Sequence, residues 1–75
     1  MKIQYNFPDG YSAEMTNARE TGDIEGWVDR KFGNRIRTLI GDDFTIEVRD
    51  SCFVVDFPFE DDGLAFLTMI GGRSL

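Results

Sequence analysis

Two stretches of strict alternation limit this chain more than any other feature. Phe44, Ile46 and Val48 alternate with Thr45, Glu47 and Arg49; after Asp50-Ser51, the residues Phe53, Val55, Phe57 and Phe59 alternate with Cys52, Val54, Asp56 and Pro58. A period of two sends every second side chain to the same face. The pair therefore reads as a hairpin with one apolar face, and that face must be covered by another layer of the same domain. Pro58 has no N–H to give a ladder, so the second strand should end near Phe57 or lie at an edge there. The chain has 75 residues, a length at which folding buries roughly 60–65% of the accessible surface and leaves no room for a deep cleft. Seven Phe, one Trp and two Tyr supply large buried areas to offset the ordering entropy.

The same period appears at the start, where Met1, Ile3, Tyr5 and Phe7 alternate with Lys2, Gln4 and Asn6. Pro8-Asp9-Gly10 carries turn chemistry, with Gly10 in the left-handed position, and Tyr11, Ala13 and Met15 alternate on what reads as a returning strand over 11–16. Thr21-Gly22-Asp23-Ile24-Glu25 then opens a helix with a capping residue and acids near its positive end, and Ile24, Trp27, Val28 and Phe32 form its buried stripe. At 100° per residue an uninterrupted helix would put Arg35 between Val28 and Leu39, inside that stripe. A kink or break at Gly33-Asn34 is therefore expected, with Ile36, Leu39 and Ile40 in a second short piece ending at Gly41. Glu60-Asp61-Asp62-Gly63 reads as a solvated turn or the start of one helical turn, residues 65–70 as a last strand, and Gly71-Gly72-Arg73 as a frayed end. The expected fold is one α+β domain over residues 1–75: an antiparallel sheet of four to five strands with one kinked helix on one face, in the order ββαβββ.

The absences narrow the chemistry. There is no His, hence no commonest general base, no usual partner for a Ser or Cys nucleophile and no commonest transition-metal ligand. No glycine pattern forms a phosphate cradle, and the carboxylate clusters Asp42-Asp43 and Glu60-Asp61-Asp62 do not follow a calcium loop. The reading is a non-enzymatic protein with no cofactor and no metal. Cys52, the only cysteine, reads as a partly buried structural thiol in a reducing cytoplasm. The first residues lack the apolar core of a signal peptide, and no run approaches the ~20 apolar residues of a membrane span.

Charge carries the functional lead. Residues 30–37 hold Arg30, Lys31, Arg35 and Arg37 and no acid, so they total +4, and the rest of the chain totals −10. The acidic excess selects a basic partner. Asp42, Asp43, Glu47, Asp56, Glu60, Asp61 and Asp62 are the candidate partner-binding residues, because a fixed array of carboxylates imitates a phosphate backbone and competes for a basic groove; plain solubility is the alternative use of the same charge. Arg30, Lys31, Arg35 and Arg37 are the alternative, nucleic-acid-binding set. Repulsion from the acidic remainder and the lack of a single-strand reader's aromatic motif weigh against it. A homodimer that covers an exposed sheet face is a further alternative, suggested by Cys52 and Val54 on an otherwise polar outer face.

The stretch from Cys52 to Gly72 (Cys-Phe-Val-Val-Asp-Phe-Pro-Phe-Glu-Asp-Asp-Gly-Leu-Ala-Phe-Leu-Thr-Met-Ile-Gly-Gly) resembles the ending of many small uncharacterised bacteriophage proteins, in which an aromatic strand leads to an acidic turn and an Ala-x-x-Phe-like step into a final strand and glycine. The helix with Trp27 after an acidic start is similar too. Gly63 and Thr68-Met69 depart from that pattern, which more often has a helix former and a basic residue there. The resemblance implies a phage-encoded accessory protein in the host cytoplasm. Such proteins are often stoichiometric inhibitors of host machinery, including CRISPR-Cas complexes, restriction enzymes and RNA polymerase. It carries no site motif.

Overall fold

A computed structural model describes all residues, Met1–Leu75. In chain order it comprises β1 (Lys2–Asn6), a 3-10 turn (Asp9–Tyr11), α1 (Ser12–Glu20), α2 (Ile24–Val28) running through a π turn (Asp29–Gly33) into α3 (Asn34–Leu39), β2 (Thr45–Val48), β3 (Cys52–Asp56), α4 (Glu60–Met69) and β4 (Arg73–Ser74). The four strands form one antiparallel sheet in the order β2-β3-β1-β4. This is the split β-α-β arrangement of ferredoxin-like topology with one additional helix, since the first crossover holds α1 as well as the continuous path of α2, the π turn and α3. The expected α+β class and antiparallel sheet stand. The order ββαβββ and the single helix do not.

Three local readings are corrected. Residues 11–16 belong to the 3-10 turn and α1, not to a returning strand. The alternation there is too short to exclude a helix, and Tyr11, Met15 and Ala18, at spacings of four and three, are the positions that pack on the core. Gly10 is not left-handed; Gly22 is, at φ 75, and with the Asp23 N–H bonded to the Ala18 carbonyl at 2.8 Å it closes α1 in a Schellman-type turn. Thr21-Gly22 thus ends one helix rather than opening the next.

The helix that follows is not broken at Gly33. A π turn adds one residue to the rotation, which shifts the phase by roughly 100°. Val28 and Ile36 then align and are both fully buried, while Leu39 turns outward to 44% exposure and Arg35 is carried to the surface. The conflict posed by Arg35 is real; a change of helical pitch resolves it.

Residues 65–69 lie in α4, with Ile70 as its C-cap, and not in a strand. Three acids occupy its first turn at the positive end of the dipole, Phe66 is fully buried and Ile70 packs against the same core. The glycines after it are not frayed. Gly71 and Gly72 hold φ 120 and 93 and lay β4 beside β1, with the Leu75 N–H on the Lys2 carbonyl at 2.9 Å.

The β2–β3 hairpin stands as read, with Ile46 opposite Val55 and Val48 opposite Phe53. Tyr5, Phe32, Phe53, Phe57 and Phe66 form a chain of neighbouring rings at 5.1–6.2 Å. All helical segments bury their residues in one cluster with Ile3, Phe53, Val55 and Phe57, so the opposite face of the sheet is bare.

Candidate functional site

Ion pairing divides the surface. Arg30 bonds Asp23 at 2.7 Å, Lys31 meets Glu14 at 3.2 Å and Arg37 bonds Asp29 at 2.5 Å. The two arginine pairs span two helical turns, and each crosses a glycine. A Cβ on Gly33 would stand 2.7 Å from Asp29 Oδ1 and 3.3 Å from Arg37 Nη1, and one on Gly26 would overlap the Asp23 carboxylate. The bare backbone lets both guanidinium groups lie flat along the helix. Arg37 also bonds Asn34 at 3.0 Å and sits 5.3 Å from the centre of the Phe44 ring. Its pKa is pushed up chiefly by the hydrogen bond to Asp29, against desolvation, with the charges of Asp29 and Asp42 adding. Of the alternative nucleic-acid set, only Arg35 has no acidic partner.

The remaining cations are largely engaged as well. Arg19 clamps the β2–β3 turn, donating to the Asp50 carbonyl at 2.5 Å and the Arg49 carbonyl at 3.2 Å. Arg49 pairs with Glu47 at 3.1 Å, and the N-terminal ammonium lies 3.6 Å from Asp56. Glu47 and Asp56 are therefore not free carboxylates.

Asp42, Asp43, Glu60, Asp61 and Asp62 make no ion pair with any basic group. The fold brings them to one end of the sheet. Thr45 at the start of β2 pairs with Asp56 at the end of β3, so the loop before β2 and the segment after β3 leave from the same side. Asp42, Asp43, Phe44, Thr45, Asp56 and Pro58 line a shallow depression of about 420 Å³. Pro58 leads within two residues to Glu60. Between them Phe59, expected to face inward, is 58% exposed, an aromatic ring among unpaired acids. Sequence patterning missed it because the alternation continues past the end of the strand. No group of three or more His, Cys, Asp or Glu side chains is placed to hold a metal ion.

The bare sheet face is mostly polar, with Lys2, Gln4 and Asn6 from β1 and Thr45 and Glu47 from β2, and with Leu75, 58% exposed, beside Lys2 at one margin. Cys52 and Val54 lie on it but are 6% and 5% exposed, opposite Asn6, Gln4 and Glu47 across the ladders. They offer a second copy little apolar area to cover. No aromatic side chain stands on this face, so it lacks the stacking platform of a sheet that reads single-stranded RNA. No helix is long and apolar enough to cross a membrane.

No family model, curated protein or solved structure matches this chain.

Proposed function

We propose that this is a non-enzymatic binding protein whose acidic end occupies a basic, nucleic-acid-handling surface of another protein, as a phage-encoded inhibitor of a host defence complex such as CRISPR-Cas would. The observation that carries the reading is the segregation of charge: the bases of residues 30–37 are mostly neutralised within the chain, while Asp42, Asp43, Glu60, Asp61 and Asp62 are left unpaired at one end. Unpaired carboxylates on a rigid support attract and orient a cationic partner. The exposed Phe59 ring among them supplies the apolar anchor that interface hot spots require.

Capture from a bacterial lysate tests this, with the wild-type chain compared against a variant carrying Asp42→Asn, Asp43→Asn, Glu60→Gln, Asp61→Asn and Asp62→Asn. Basic nucleic-acid-handling proteins held by the wild type, released in high salt and missed by the variant are the expected outcome. Equal capture by both chains would sink the reading.

A further inference from the structure

We propose that the free edge of β2 is a second docking site, which takes an extended segment of a partner protein as a fifth strand, one with basic residues alternating with apolar ones. β2 is the last strand of the sheet on its side. Its ladder to β3 runs through the Arg49 N–H on the Cys52 carbonyl at 2.8 Å. Antiparallel bonding alternates, so Glu47 and Thr45 also bond inward, and Ile46 and Val48 turn their N–H and C=O groups away from β3. These outward groups are the template to which a further strand adds.

The flank of this edge is shaped for side chains. A depression of about 210 Å³ lies between β2 and the helix, lined by Phe44, Ile46 and Val48 on one side and by Glu25, Asp29 and Arg37 on the other. Phe44, Ile46 and Val48 are half-buried. A strand laid along β2 would send alternate side chains into this depression, where apolar groups complete the burial of these three residues. Its other side chains would pass over Thr45 and Glu47.

Charge selects the occupant. Glu25 makes no ion pair, and the chain carries a net charge of −6, so lysine or arginine in the added strand is favoured. A second copy is disfavoured, since it carries the same net charge of −6, and since two-fold pairing of β2 with itself about Glu47 sets that carboxylate against its copy. The edge carries one charge, Glu47, but no proline or lysine, and it is twice as long as β4 on the opposite edge, which has two residues. The inference does not depend on the acidic end.

The test is titration of the intact chain, nitrogen-labelled, with a short synthetic peptide of alternating lysine and valine, alongside the same peptide N-methylated on the amides that would bond β2. N-methylation keeps the probe's charge and removes its hydrogen bonds, and leaves the protein untouched. Binding should perturb the Ile46 and Val48 amides and slow their exchange, N-methylation should weaken it by about tenfold or more, and Glu25→Gln should weaken it further. Absence of binding, equal affinity for the methylated peptide, or perturbation confined to the acidic end would each overturn the proposal. So would a β2-mediated dimer of the chain that excludes the peptide. Failure here leaves the acidic-end reading intact, because the carboxylate-to-amide variants that test that reading leave the outward N–H and C=O groups of Ile46 and Val48 in place.

Discussion

Alanine in place of glycine should have different consequences at Gly72 and Gly33, because different neighbours lie against them. At Gly72 the backbone is left-handed and a Cβ would stand 2.7 Å from the Gln4 carbonyl oxygen, which cannot move without breaking β1. Gly72→Ala is expected to cost about 1–3 kcal/mol and to strip the Leu75 amide of its protection in hydrogen exchange. At Gly33, the last residue of the π turn, the backbone angles are right-handed helical and the obstructing atoms are the tips of Asp29 and Arg37. There the helical gain of about 1 kcal/mol for alanine is set against the loss of an exposed, solvent-screened ion pair, which contributes little. Gly33→Ala should leave the denaturation midpoint unchanged or slightly higher while releasing Arg37, which loss of the Arg37–Asp29 contact in the variant's spectra would report. Neither role was legible in the sequence. Gly33-Asn34 has the composition of a helix stop and Gly71-Gly72 that of a loose end, and only the backbone or side chain alongside each glycine decides otherwise.

Among the elements, β1, β2 and β3 were legible because a strand's period shows in its own residues whichever strand it pairs with. The two misread segments, 11–16 and 65–70, are six-residue windows in which strand and helix periods both fit. Longer windows separate them, since Tyr11, Met15 and Ala18, and likewise Gly63, Phe66 and Ile70, keep helical spacing. The helical reading has a direct consequence for stability. Phe66 is fully buried, 5.7 Å from the Phe57 ring and 6.2 Å from the Tyr5 ring, so Phe66→Ala should cost about 3–5 kcal/mol in urea denaturation. Thr68→Ala, on the exposed side of α4, should cost less than about 0.5 kcal/mol. The π turn makes its own prediction. Deleting exposed Asn34 removes the extra residue and returns Ile36 to α-helical phase with Val28, so the shortened chain should still unfold cooperatively; deleting Thr38, which has no such compensation, should disturb the packing of Ile40 and lower the midpoint more.

For the molecule as a whole, the acidic cluster was legible as composition, but its division into paired and free carboxylates was not, because pairing depends on which charged groups the folded backbone brings within reach of one another. Glu47 and Asp56 read like the rest and proved to be engaged by Arg49 and the N-terminal ammonium. The free acids should lower stability through self-repulsion. Replacing Asp43, which lies outside the first turn of α4 and does not act on Arg37, with Asn is expected to raise the melting temperature slightly at low salt, and the difference should vanish near 1 M salt, where the screening length falls to about 3 Å. A gain of this kind would mean that the carboxylate persists despite its cost to folding.

The slope of log Kd against log salt concentration, measured for a captured partner, bears most directly on a charge-based mode of action. Affinity of the wild-type chain should fall steeply as salt rises, and substitution of the five carboxylates of the acidic end by amides should flatten that slope. A slope near zero in the wild type, or one that the substitutions leave unchanged, would contradict binding through the acidic end.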